Sequence, residues 1–162
     1  MKNGAPVLWM ALFALLAIAQ SPAPAGERIE SQSTHINVVS RFDTLRVDDD
    51  QGRFIAIIRA SGAGRRVEGP EEPPYTIEIW GTGDYKNDGT GDEHGYGKFT
   101  FADGSSYFEE WTSKAAGGKG VGTAVYYGGT GRFKGMTGGS SFDCTALGDR
   151  FSCDVKGWIE LP

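Results

Sequence analysis

Downstream of residue 26, no stretch keeps a 3.6-residue apolar period with helix caps over ten positions. The chain instead offers short β-like runs separated by glycine-rich turns. Ile36 to Val47 reads as one or two strands, closed by the acidic turn Asp48-Asp49-Asp50-Gln51-Gly52. Arg53 to Ala60 is β-branched and apolar enough for a buried strand. Ser61 to Pro74 carries three prolines and several glycines and reads as loop. Tyr75 to Trp80 alternates with period two, as a half-buried strand does, and Gly81 to Gly97 follows as a long Gly/Asp-rich connection. Lys98–Phe101 and Ser105–Thr112 flank the hairpin turn Asp103-Gly104. Gly120 to Tyr127 is a further strand, and the last runs through Trp158-Ile159-Glu160-Leu161. Short strands at this spacing predict a sandwich or a barrel.

The N-terminus breaks the pattern. Lys2 is the only charge before Glu27, Val7 to Ala19 is an unbroken apolar run, and Ala17-Ile18-Ala19 offers a small-x-small cleavage site. These parts predict a secretory signal peptide over 1–19. As a helix the thirteen-residue run rises about 20 Å, short of the roughly 30 Å hydrocarbon core. The expected organisation is therefore a signal at 1–19, a flexible leader at 20–30 and one all-β domain at 31–162, secreted or periplasmic, with no membrane insertion after cleavage.

Export sharpens the reading of Cys144 and Cys153, since pairing is the default in an oxidising compartment. Gly148-Asp149 has the glycine-first pattern of a type II′ hairpin turn. Folding about it sets 144 opposite 153 in a non-hydrogen-bonded pair, close enough for a disulfide.

Charge excludes more than it suggests. The formal net charge of −5 becomes −6 once Lys2 leaves with the signal, and no basic cluster beyond Arg65-Arg66 is present, so a nucleic-acid partner is not expected. Only two histidines, His35 and His94, are available, 59 positions apart, and no G-x-S-x-G occurs, so neither a serine-hydrolase triad nor a histidine zinc site is supported. No cofactor motif appears. Asp84, Asp88 and Asp92 fall at calcium-loop spacings, but Lys86 stands at a ligand position and Gly95 replaces the closing glutamate. They remain a weak calcium candidate beside the simpler reading of a solvated acidic loop.

Gly81-Thr82-Gly83-Asp84-Tyr85-Lys86 recurs as Gly129-Thr130-Gly131-Arg132-Phe133-Lys134, and two similar β corners are the expected meaning. The second copy, extended through Gly135-Met136-Thr137-Gly138-Gly139, resembles the corner signature of the dirigent proteins and of secreted bacterial members of the allene oxide cyclase-like superfamily. Gly129, Thr130, Gly131, Phe133 and Gly135 carry the match. The resemblance implies a single eight-stranded antiparallel, calycin-like barrel with an apolar interior. Its characterised members cyclise a fatty-acid epoxide or orient phenoxy radicals during coupling.

Small barrels are filled solid or hold one ligand. If this one is hollow, Trp80, Phe99, Trp111 and Tyr126 are the candidate lining residues, with Glu110 as a candidate polar group inside. Binding of a small apolar or aromatic molecule ranks first. A structural or interaction protein with a filled barrel, acting through its surface and able to form a homo-oligomer, and a cyclase-like or coupling activity are the alternatives.

Overall fold

The computed structural model describes residues 26–47 and 49–162; the signal at 1–19 and most of the leader lie outside the described residues. Eight strands form a closed antiparallel barrel in chain order. They are β1 (Arg28–Arg46), β2 (Phe54–Glu68), β3 (Tyr75–Tyr85), β4 (Gly91–Thr100), β5 (Ser106–Ala116), β6 (Lys119–Tyr127), β7 (Thr137–Ala146) and β8 (Arg150–Glu160). β1 closes the ring by pairing with β8 through its first half and with β2 along most of its length. A register shift between Val39 and Arg41 re-aims the strand, so that Phe42 faces inward as His35 and Asn37 do.

The strands run further than their sequence suggests. β1 begins at Arg28, inside the expected leader, and β2 continues to Glu68, inside the expected loop at 61–74. The supposed connection at 81–97 is the end of β3, a turn at 86–90 and most of β4. Glycine was the misleading signal, because here it answers steric demand inside a narrow barrel. A Cβ on Gly81 or Gly95 would lie 2.7 Å from the Trp111 ring, and one on Gly83 2.4 Å from the Tyr85 ring. Small inward positions leave the volume that inward-facing rings occupy, whether from another strand, as with Trp111, or from the same one, as with Tyr85. The same finding corrects the internal echo: Gly81–Tyr85 is strand, and only Gly129–Phe133 is a corner.

The arrangement of small and large residues also inverts the usual rule. On β2 the alanines Ala56 and Ala60 are buried, while Ile55 and Ile57 point outward, Ile57 with 51% of its surface exposed. The Arg53–Ala60 run is thus buried on one face only.

The two ends of the barrel differ. At one end an aromatic plug of Tyr75, Phe99, Phe101, Tyr107, Tyr126 and Phe133, with Met136, fills the interior. The corner seals it. Thr130 donates its backbone N–H to the Ser106 carbonyl at 2.8 Å, and its hydroxyl accepts from the Ser106 N–H at 3.1 Å. Gly131 sits at φ +57, and a side chain there would meet the Ser105 hydroxyl at 2.4 Å. Both facts favour glycine. Arg132 reaches Glu72 at 2.5 Å and lies over the Phe101 and Phe133 rings at 4.8 and 4.6 Å.

At the other end the β7–β8 hairpin turns through Gly148 at φ +78, with the Leu147 N–H donating to the Arg150 carbonyl at 2.7 Å. Cys144 and Cys153 face each other in register and form the expected disulfide, with Cα atoms 4.0 Å apart. No helix among the described residues is long and apolar enough to cross a membrane.

Candidate functional site: a polar-floored lumen

Above the plug the barrel is hollow. A cavity of about 300 Å³ opens toward the end that carries the β1–β2, β3–β4, β5–β6 and β7–β8 turns. That is the lower end of the range for small-molecule pockets. Ile77, Ile79, Phe142 and Val155 supply apolar wall; Phe42, Lys119, Gly120, Arg150 and Phe151 stand among the residues of its mouth. The disulfide lies in the wall between them.

The polar groups in this lumen are unusual because several have no partner. Asn37 is only 1% exposed, yet neither its amide nitrogen nor its amide oxygen makes a hydrogen bond. The Trp111 Nε1–H is likewise buried and unpartnered, and the buried Ser140 hydroxyl lies beside the Tyr126 hydroxyl without a hydrogen bond of normal geometry. All three residues line the cavity. An unmet buried polar group costs about 1–3 kcal/mol, so such groups are normally satisfied. All of them face one cavity, where water or a guest can supply the missing hydrogen bonds.

Two carboxyls share the lumen. Glu93 accepts hydrogen bonds from the Tyr85 hydroxyl and, at 2.5 Å, from the Ser113 hydroxyl. Glu109 lies deeper and opens onto the cavity beside Gly97, where a Cβ would meet its Oε1 at 2.6 Å. Glycine at 97 therefore leaves the volume that the carboxyl occupies. His35, also on the lining, bonds through Nε2 to the Tyr75 hydroxyl at 3.0 Å.

Burial sets the charge of both groups. It lowers the His35 pKa to about 4 and pushes Glu109 up to about 8, because neither has a compensating charge beside it. A buried base costs stability where the unfolded chain would protonate it, so the His35 cost grows as pH falls from 6.5 toward 4. A buried acid costs stability where the unfolded chain would ionise it, so the Glu109 cost grows as pH rises from 4.5 toward 8. Between pH 4.5 and 6.5 the two slopes oppose each other and cancel. From 6.5 to 8 only Glu109 acts, and at about 1.4 kcal/mol per pH unit the ligand-free barrel loses about 2 kcal/mol. Urea midpoints measured from pH 5 to 9 should show this alkaline decline, and Glu109→Gln should flatten it. A wild-type midpoint level to pH 9 would exclude a neutral buried Glu109.

The expected site residues separate cleanly. Trp111 lines the lumen. Phe99 and Tyr126 belong to the plug beneath it. Trp80 does not line the cavity: it sits between the inward positions Ile79 and Gly81 and faces outward. Glu110 is exposed, one position from the inward Trp111, and its neighbour Glu109 is the carboxyl inside. Trp111 and Glu110 cannot share a face of one strand, and counting by twos from Trp111 reaches Glu109. No such signal pointed to His35 and Asn37. They alternate with Ile36 and Val38, and ordinary patterning places the apolar pair inside; here that pair is exposed.

The calcium candidates are engaged separately. Asp84 pairs with Arg53 at 2.6 Å, Asp92 with Lys114 at 2.6 Å, and Asp88 caps its own turn through the Thr90 N–H at 2.9 Å. Among the described residues no group of three or more His, Cys, Asp or Glu is placed to hold a metal ion.

Comparison with known proteins adds little to this geometry. No family model matches the chain, and no curated protein does. A crystal structure of a protein of unknown function from Clostridium acetobutylicum ATCC 824 is similar at 13% identity and a TM-score of 0.49, over 84% of this chain and 99% of that one. It brings no function with it.

Proposed function

We propose that this protein is a binding barrel that takes one small, largely apolar molecule into its lumen, in an oxidising compartment reached through the 1–19 signal. The observation that carries the reading is the convergence of the unpartnered Asn37 and Trp111 groups and the Ser140 hydroxyl on a cavity of about 300 Å³. A barrel whose only task was stability would fill that volume or pair those atoms. Kinship with the dirigent and allene oxide cyclase-like barrels is part of the proposal, supported by the corner at 129–135 and by the strand number.

Gly120 offers a clean test. It lies at the mouth, and a Cβ there has nothing nearer than 3.9 Å, so a large side chain can enter the lumen without displacing backbone. Native mass spectrometry of the protein from its own compartment should show a bound mass of a few hundred daltons (about the size such a pocket admits). Gly120→Trp should lose that mass while keeping the wild-type circular dichroism. A bare polypeptide in both would sink the reading.

A second reading rests on the outer face of β1 and β2, where Ile36, Val38, Leu45, Ile55 and Ile57 are all exposed. They form two apolar groups, Ile36 with Val38 and Leu45 with Ile55 and Ile57, separated by Arg41 and Arg59, and suit a protein contact with a second copy as the simplest partner. The same spectra report it as a multiple of the subunit mass.

A further inference from the structure

Resting on the lumen reading, we infer that the ligand is an organic amine, held by its ammonium group against Glu109 at the deep end of the cavity with its apolar body toward the mouth. The inference starts from what the lumen contains. Two carboxyls, Glu93 and Glu109, line it, and its only lysine and arginine are Lys119 and Arg150 at the mouth. Arg150 is turned to Asp149 at 3.3 Å. Below the mouth no cation among the described residues lines the cavity to receive an anionic ligand, and Glu93 is already committed to two hydroxyl donors.

Glu109 is committed to nothing. Its displacement toward the neutral form has burial as its cause, with no hydrogen bond or charge opposing it. The groups that face it from neighbouring elements are Tyr107 on its own strand, Tyr126 on β6, Tyr75 on β3 and His35 on β1, with Glu93 of β4 higher in the same lumen. β7 presents the Ser140 hydroxyl and β8 the apolar Val155. None of these is a cation, because burial keeps His35 neutral; Arg66 of β2 lies beyond the tyrosines, outside the cavity lining, and is paired with Glu72 at 3.9 Å. Gly97, opposite Glu109 on β4, leaves the room the carboxyl occupies, and a side chain there would force it to shift.

The remaining unmet groups suit the same guest. An ammonium has three donors, and Glu109, the Asn37 amide oxygen and the Ser140 hydroxyl are acceptors on one cavity. Trp111 and Phe142 give aromatic wall, which favours a cation over an anion. An acceptor atom elsewhere in the molecule would take the Trp111 Nε1–H. A carboxylate would lose its hydration with no cation on the cavity lining below the mouth to offset that cost, a mismatch that specific sites use to exclude.

Binding carries a proton signature. Near neutral pH the free Glu109 holds a proton, and pairing with ammonium ejects it to solvent. Titration calorimetry at pH 7 with 1-naphthylmethylamine, 1-naphthylacetamide and 1-naphthylacetate, in two buffers of different ionisation enthalpy, reads both charge preference and proton release. The amine should bind about 10-fold tighter than the amide and about 100-fold tighter than the acetate. It should release close to one proton, and its affinity should rise as pH increases from 6 to 8. Glu109→Gln should abolish the release and the preference while leaving the amide within about 3-fold. The proton count on the wild-type protein decides the matter even if that variant does not fold. Amide binding equal to the amine with no proton release overturns the amine inference and leaves the lumen reading standing. Failure of all three probes, with Gly120→Trp indistinguishable from wild type in native spectra, overturns both.

Discussion

Phe99→Ala should destabilise the barrel by about 3–5 kcal/mol, the range for removing a large buried aromatic side chain. Phe99 is 1% exposed and stands at the centre of the plug. Its ring stacks on Tyr107 at 4.7 Å and meets Tyr75, His35 and Tyr126 at centroid distances of 5.9, 5.8 and 6.4 Å. It is also paired in register with Ile77 of β3 and Tyr107 of β5, so three adjacent strands share the packing. Truncation deletes the transfer term and leaves a hole that closed strands cannot collapse around, because their hydrogen bonds hold the spacing. Phe99→Leu retains most of the buried area and should cost about 1–2 kcal/mol. Urea denaturation of the three proteins gives the comparison. Equal midpoints for wild type and Phe99→Ala would show that the plug does not set stability.

Replacing both cysteines by alanine should cost about 2–3 kcal/mol, because the bridge closes a short loop in the unfolded chain. Cys144 and Cys153 are nine positions apart and already opposed by the β7–β8 ladder. The native hairpin therefore does not need the bridge for its register, and the spectrum of the folded protein should not change. The effect should fall on the unfolded state, where release of the constraint exposes more surface and raises the dependence on denaturant. Cys153 is buried, so part of any loss in the double variant is packing. Wild-type protein unfolded with and without reductant removes that component. A midpoint unmoved by reductant would refute the stabilising role.

The residue alternation, the turn dipeptides and the cysteine spacing determined the strand class, the Asp103-Gly104 and Gly148-Asp149 hairpins and the disulfide. These are local properties. A two-residue turn sets the pairing of its flanking strands, and pairing sets which side chains meet. Strand lengths were less legible. Gly81, Gly95 and Gly97 read as loop because a glycine's empty side depends on what stands opposite, and Trp111 and Glu109 come from another strand.

The site needed the closed barrel. Which face of β1 points inward follows from ring closure and from the shift at Val39–Arg41, not from the polarity of Ile36 and Val38. Choosing between Glu109 and Glu110 required only the parity of one strand once Trp111 was known to face in. That His35, Asn37, Glu109 and Ser140 surround one cavity was beyond any local rule, since three strands far apart in the chain carry them. Sequence patterning assumes that the inside is apolar because water is outside. A hollow barrel has a second surface, and only closure decides which side chains line it.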